Sequence, residues 1–447
     1  MSEFDNFISI IRANSSDASP LNIAQAKIII KELNAFLYTT HENLGTVEVL
    51  GNNYEYFSAF HKYWHEHHRE LLNLQISDER CMAVATALHN VFIRTNGRAF
   101  NEIFDTCGLN HEQFCRLRFL TANQDFRGSR NFNEIVDVYR DDNSIFDEHN
   151  IFADPGNFVR LIGVQNLSQN DKRIQYAKRA AQFLIDHNSS PYDIIGSFNG
   201  DVFALRNALI AYHGAGYGKK KSDMFIRDMV VLNVWPQPNI TNFERIDVAS
   251  DVNTIKVALR TGILTSDIPL LSSFLDIFGY QYSYVDENNA LAWKNVFECW
   301  NRIFPNETIA SPCLLDYFVY NVVGKQFCQE KLCVFRGETC GHVFRWHSSR
   351  NHTCQVCNRL GIRRQNASVI EKKLPCDDED GGTYIRNTEF YRSGIANPNY
   401  EECPFRRICD EYNHRKLQPP KSISISGQTG WTTGYSKNEE GGGGIMA

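Results

Sequence analysis

Apolar residues recur at three- and four-residue intervals through most of this chain, the spacing that places them on one face of a helix. The stretch SPLNIAQAKIIIKELNAFL opens on a Ser-Pro start and continues in that pattern. SDERCMAVATALHNVFI repeats it, with Ser77 positioned as an N-cap and Glu79 in the first turn. Residues 156–310 read as further helices, clearest in GVQNLSQNDKRIQYAKRAAQFLID, which is amphipathic. No internal repeat and no run of regularly spaced strand signals breaks the pattern. The expected fold class is therefore all-α.

A chain of 447 residues is too long for one ordinary core. The expected parts are an N-terminal helical domain over 1–155, a helical core over 156–327, a cysteine-rich module over 328–417 and a tail over 418–447. The tail is polar, with Pro419, Pro420, several serines and the glycines 441–444, so it is expected to be flexible.

Composition is that of a globular protein, 43% hydrophobic and 22% charged, which excludes wholesale disorder. The net charge of −6 argues against a surface coated in positive charge but leaves room for a local basic groove. The opening MSEFDNFISIIRANSSDASP lacks a basic segment followed by an apolar run, and no stretch is long and apolar enough to span a bilayer. A cytoplasmic or nucleoid-associated protein, without a membrane partner and monomeric, is expected. Disulfides are rare in that compartment. The thirteen cysteines, nine of them between Cys313 and Cys409, then point to metal. HKYWHEHH places His61 and His65 on one helical face, as two ligands would be; an exposed polar face explains the same residues more simply.

The richest segment is HGAGYGKKKSDMFIRDMVVL. Gly214, Gly216 and Gly218 form a short turn between two apolar helical stretches, where glycine permits positive φ and close backbone approach. The next helix starts with exposed N–H groups and the positive end of its dipole, and Lys219, Lys220 and Lys221 add charge there. That suits a phosphate, although plain helix capping gives the same signal.

With the segments LSQND upstream and SDVNTIKVALRTG and LLDYFVYNVVGKQFC downstream, this region resembles the helix-hairpin-helix DNA glycosylase superfamily, which includes endonuclease III and the archaeal 8-oxoguanine glycosylases. The family's hairpin pattern maps onto Gly216, Tyr217, Gly218, Lys219, Lys220, Lys221, Ser222 and Asp223. The resemblance implies a two-lobed helical core, a catalytic lysine at Lys220 and a catalytic aspartate at Asp251, with Asn253, Lys256 and Val257 in matching places. The 31-residue spacing between the pair resembles the archaeal branch, the added loop being VWPQPNITNFERI. Asp247 is a rival for the aspartate. The chemistry fits: a carboxylate stabilises positive charge building on the sugar, and an amine of lowered pKa, helped here by the flanking lysines, forms a Schiff base. Whether the lysine acts as nucleophile or only binds phosphate stays open.

A glycosylase also extracts its base from the stack. Gln169 of the LSQ segment is the implied gap-filling residue, and Gly214, Gly216, Gly218, Lys219 and Lys221 are the implied phosphate contacts. Tyr212, His213, Trp235 and Tyr317 are candidate walls of a base pocket, each also explicable as core, and Asp316 begins the segment expected to contact the base.

Endonuclease III-type members of that superfamily carry a 4Fe-4S cluster on four C-terminal cysteines, which the resemblance implies here. Here Cys328 follows GKQF, and Cys403 and Cys409 repeat the last spacing; Cys376 is the best substitute for the remaining ligand. Between them Cys333, Cys340, Cys354 and Cys357 form a plausible zinc set, with His342, His347 and His352 as alternatives to Cys333. A cluster plus zinc, zinc alone, and reduced thiols all remain open. Arg345, Arg350, Arg359, Arg363 and Arg364 would suit phosphate contacts or an ordinary solvated surface, and Asp377–Asp380 interrupt the basic character.

The expected activity is excision of a modified base from DNA, leaving an abasic site, in base excision repair or in defence against hypermodified viral DNA. A non-catalytic DNA-binding protein is the alternative, and chemistry carried by the cysteine region is a third reading.

Overall fold

The computed structural model describes residues 3–14, 28, 32, 46–49, 52–56, 59–101, 106–125, 130–165, 167, 169–268, 271–273, 275, 283–328, 333–346, 353, 354, 356, 357, 365–372, 403–412 and 435–437. The described residues are mostly helical, as the apolar periodicity predicts. The chain divides into two compact units, each built from separated segments: Met1–Val84, Val252–Ala292 and Val319–Ala447 in one, Ala85–Asp251 and Trp293–Phe318 in the other. The boundary expected near residue 155 falls inside the second unit. The reason is packing: Phe146, Ile151 and Phe158 on either side of that point share one core with residues as distant as Ile246 and Cys313.

The second unit is built around that core. Helix α1 (His111–Ala122) starts on a capping box, in which the Asn110 side chain accepts from the Gln113 amide while Gln113 reaches back to the Asn110 amide. Helix α2 (Asn170–Asp186) buries Ala177, Ala180, Ala181, Phe183 and Leu184 at helical spacing. Helix α3 (Val202–Ala211) is capped by Asp201, whose carboxylate accepts from the amides of Phe203 and Ala204. A turn through Tyr212–Gly218 leads into helix α4 (Lys219–Val231), which buries Phe225, Ile226, Met229 and Val230. A row of aromatics runs through the core: Phe119 lies 5.3 Å from Tyr217 and 5.5 Å from Phe225, and Phe225 lies 5.5 Å from Trp235.

Under the core sits a buried charge network. Arg118 pairs with Asp228 at 2.6 Å, Arg227 holds the same carboxylate at 2.6 Å, and Arg227 also pairs with Asp316. Unpaired charges in such a place would be prohibitive, and here each carboxylate faces at least one guanidinium.

In the first unit, Ser77 caps the start of the helix that begins at Asp78, accepting from the Arg80 amide at 3.4 Å. The helix expected over SPLNIAQAKIIIKELNAFL lies almost wholly outside the described residues. Helix α5 (Val252–Thr261) buries most of its residues, and a π-helical run, Phe318–Phe327, passes close enough that a Cβ on Gly324 would sit 2.8 Å from that of Asn253. Among its described residues the cysteine-rich module mixes strands with a short helix, Arg406–Tyr412. It contains a three-stranded antiparallel sheet of β1 (Cys333–Gly337), β2 (Val343–Trp346) and β3 (Ala367–Lys372), with β1 central. Register pairs Phe335 with Phe344 on one side and with Val369 on the other. The tail expected to be flexible contributes a strand, Tyr435–Lys437, paired antiparallel with Asn52–Tyr56. Among the described residues no helix is long and apolar enough to cross a membrane.

Candidate functional site

The glycine turn is held against α2 by contacts that explain Gly214 and Gly216. Gly216 has φ +75°, and a Cβ there would lie 2.6 Å from the Tyr176 ring. Gly214 has φ +82° and packs beside Gln175 and Arg179. L-residues rarely adopt such φ values, so both positions favour glycine. The Asn123 amide clasps the turn to α2, donating to Ala215 O at 3.0 Å and to Tyr176 O at 3.1 Å. Tyr217 inserts into the core and donates to Phe119 O. Gly218, the N-cap of α4, has extended backbone and no side chain to satisfy the first-turn amides.

From that helix start the three lysines diverge. Lys219 Nζ is 3.3 Å from Asp247, and Lys220 Nζ is 3.7 Å from Asp251. Lys221 turns inward and donates to Asn123 O at 2.8 Å. Burial lowers the pKa of Lys221 to about 8. The structure therefore gives each of the rival aspartates its own lysine. They differ in exposure: the Asp251 side chain is 6% exposed, that of Asp247 22%. Lys220 itself is 45% exposed, so the pair combines a buried carboxylate with an accessible amine.

The loop between the pair is anchored. Trp235, Phe243 and Ile246 are buried in the core, Thr241 exchanges backbone hydrogen bonds with Gly200 and Val202, and Ile246 O accepts from Cys313 N and Ser311 Oγ. This returns the chain to the start of α4. Sequence reading named Asp223 and Tyr212 but not the partners that hold them. Asp223 pairs with Arg206 at 2.6 Å and joins α4 to α3; burial pushes its carboxyl up to about 6. Tyr212 donates to Asp186 at 2.5 Å under the Arg179 guanidinium, which lies 4.3 Å from its ring centre.

The candidate base-pocket residues do not all share a surface. Trp235 is buried and its indole N–H is donated to Tyr192 O at 2.9 Å, a core role. Asp316 is buried against Arg227 within the charge network, and its carboxylate is committed there. His213 is exposed with its carbonyl accepting from Arg179, and Tyr317 is half-buried. Gln169 has φ +52°, at the N-cap of α2, and is half-buried.

The cysteines form two groups. Cys340, His342, Cys354 and Cys357 bring one ligand atom each within 4.8 Å of one another and could hold a metal ion. His342 thus stands where sequence reading put Cys333 first; the Cys333 side chain, His347 and His352 lie outside the described residues. So do Cys376, the side chain of Arg345, and Arg350, Arg359, Arg363 and Arg364. In the other group Cys403 and Cys409 are buried and Cys328 is half-buried. Burial and the neighbouring Cys328 push the Cys403 thiol up to about 12, and Arg260 donates to Cys328 O at 3.0 Å. On the histidine-rich helix Ala59–Leu72, His68 Nδ1 contacts the carbonyls of Trp64 and His65, and burial lowers the pKa of both His65 and His68. The side chain of His61 is outside the described residues.

No family model matches this chain, and no curated protein matches it.

Proposed function

We propose that the protein is a DNA glycosylase that excises a modified base, with Asp251 and Lys220 at the reaction centre. The observation that carries this reading is the Lys220–Asp251 pair, 3.7 Å apart at the uncapped start of α4, immediately after a glycine hairpin. The first-turn amides and Lys219 supply a phosphate contact, and the buried carboxylate supplies negative charge close by.

Breaking an N-glycosidic bond sends the bonding pair out with the base and leaves positive charge on the sugar. Asp251, largely shielded from water, stabilises that charge and orients the attacking nucleophile. In the hydrolytic course the nucleophile is water, which gives up a proton and leaves an abasic site. In the lyase course the neutral Lys220 amine attacks C1′, expels the base, passes a proton to the carboxylate and opens the sugar to an imine.

Cys328, Cys403 and Cys409 would hold an iron–sulfur cluster in this reading: Cys403 and Cys409 are buried, Cys328 neighbours Cys403, and thiolates are the usual cluster ligands. Cys376 would be the fourth. Such a cluster supplies structural cross-linking of the C-terminal segment rather than a step in base release.

The test is base release from a panel of DNAs carrying oxidised, alkylated and hypermodified bases, with wild type and Asp251→Asn compared and borohydride added to trap an imine. Wild type releases one class of base, and Asp251→Asn is slower by on the order of 10²-fold or more. Trapping that disappears in Lys220→Gln selects the lyase course. Undiminished release by Asp251→Asn, or no release from any DNA with the metals intact, overturns the proposal and favours a DNA-binding role.

A further inference from the structure

Among the described residues, the module between Cys333 and Lys372 has little apolar packing to hold it together. Its core among the described residues consists of Phe335, Ala367, Cys354 and Cys357, with Phe344, Val356 and Cys340 partly buried beside them. So few apolar side chains cannot offset the entropy of ordering a three-stranded sheet, and small folds of this kind need a staple. The sulfurs sit where the staple would be.

We propose that Cys340, His342, Cys354 and Cys357 bind one zinc ion, through three Sγ atoms and His342 Nδ1, in a closed structural centre that holds β1, β2 and β3 together. The distances carry this. Tetrahedral zinc with Zn–S of about 2.3 Å and Zn–N of about 2.0–2.1 Å puts ligand sulfurs roughly 3.8 Å apart and sulfur and nitrogen roughly 3.6 Å apart. Cys340 Sγ and Cys354 Sγ are 3.6 Å apart. His342 Nδ1 is 3.4 Å from Cys357 Sγ and 3.9 Å from Cys354 Sγ. These are separations across a metal: the sulfurs are too far apart for a disulfide, and the ring nitrogen faces both sulfurs with the same atom.

The backbone is arranged around the same point. The turn joining β1 to β2 brings Cys340 and His342 to one end of the sheet, with Gly341 at φ +69° between them and Gly337 N–H donating to His342 O at 2.9 Å. Thr353 bridges to Asn366, and Cys354 N–H donates to Gln365 O at 2.8 Å, which ties the second ligand pair to the segment entering β3. Cys357 N–H points at Cys354 Sγ at 3.5 Å, an arrangement that stabilises a thiolate ligand. On β1 a Cβ at position 337 would fall 2.2 Å from Cys340 Sγ and 3.5 Å from Cys354 Sγ, so the strand leaves room for the sulfurs only with glycine there.

The donor set selects the metal. Three thiolates and an imidazole are soft ligands that suit zinc and not magnesium or calcium. Four protein ligands leave no open position for water, which makes the centre structural and not hydrolytic. The inference stands apart from the glycosylase reading, since none of its residues belongs to the Lys220–Asp251 pair.

The experiment is metal analysis of the full-length protein, with X-ray absorption at the zinc edge. The expected results are one zinc per chain and a first shell of three sulfurs and one nitrogen. Zinc falls by at least tenfold in His342→Ala, Cys354→Ser and Gly337→Ala, and stays in Cys333→Ser, Cys403→Ser and Asp251→Asn. A four-sulfur shell, zinc lost in Cys333→Ser but kept in His342→Ala, or a wild type without zinc overturns the proposal. The shell is read on wild type, so misfolding of a variant does not blunt the test. Loss of base release in Asp251→Asn with zinc retained separates this site from the proposed catalytic one.

Discussion

Replacing Asp316 separates two roles for the same carboxylate. The family resemblance puts it against the substrate base, whereas the structure buries it against Arg227. Both side chains are 4% exposed, so the pair sits in a medium where an unpaired charge is strongly disfavoured. Removing one partner of a buried ion pair costs about 3–5 kcal/mol. Asp316→Asn belongs at the low end, about 3 kcal/mol, because Arg227 keeps two hydrogen bonds to Asp228 Oδ1, at 2.6 and 3.0 Å. Arg227→Met belongs at the high end, about 5 kcal/mol, because it strands Asp316 and leaves Asp228 with Arg118.

For a unit of 150–250 residues, 1 kcal/mol moves the melting midpoint by roughly 2–4 °C, so Asp316→Asn lowers it by roughly 6–12 °C. The unit that contains α4 is followed by hydrogen exchange of the α4 amides, since a chain with two units need not melt in one step. The double variant Arg227→Met, Asp316→Asn removes both charges and costs less than the sum of the two singles by about 2 kcal/mol. An Asp316→Asn protein with unchanged α4 protection but impaired base release would refute the reasoning and return Asp316 to the substrate.

Two further perturbations probe the hairpin. Gly216→Ala forces a left-handed φ on alanine, at about 1–2 kcal/mol, and drives a methyl into the Tyr176 ring, adding roughly 1–3 kcal/mol. Calorimetry reads the lowered melting temperature, and titration at several salt concentrations reads the loss of the DNA binding proposed above; an unchanged melting temperature would show that the turn does not lie against α2. Lys221 titrates near pH 8 in the folded chain and near 10.5 in the unfolded one, so between these values the unfolded chain holds the proton that the folded chain has lost. Stability therefore rises with pH across this window by about 2–3 kcal/mol more in wild type than in Lys221→Met, as denaturant titrations at pH 7.5 and 10.5 would show; parallel pH profiles would mean that Lys221 is solvated.

The helices were legible because burial in α2 and α4 follows the periodicity of their own residues, and Ser77 and the glycine turn mark ends by local chemistry. The strands of the metal module were not. CVFRG, VFRW and ASVIEK are short, and what makes them strands is their pairing around one cluster of sulfurs, which no local propensity encodes. The grouping of His342 with three cysteines has the same origin: Cys-Gly-His is a turn that places both donors on one side, whereas counting cysteines favours a fourth thiol. That Trp235 and Asp316 pair with core groups could not be read from sequence, because an aromatic and a carboxylate look alike there whether they face a ligand or a core partner. The discontinuous units were hidden because they depend on which distant segments pack together.

The consecutive lysines show most clearly what sequence leaves open at the site. Successive residues on a helix point about 100° apart, so three lysines in a row cannot serve one partner. Here one meets Asp247, one meets Asp251 and one is drawn inward to a backbone carbonyl. Which lysine meets which carboxylate is decided by where the loop after α4 comes back. That loop is fastened by Trp235, Phe243 and Ile246 in the core and by the hydrogen bonds from Ser311 and Cys313 to Ile246 O. The long spacing between Lys220 and Asp251 is therefore not slack: its apolar residues are part of the unit that presents the hairpin. A carboxylate held by core packing loses little entropy when charge develops beside it, which is what electrostatic stabilisation of a transition state requires. Asp251, the more buried of the two aspartates, meets that requirement better than Asp247.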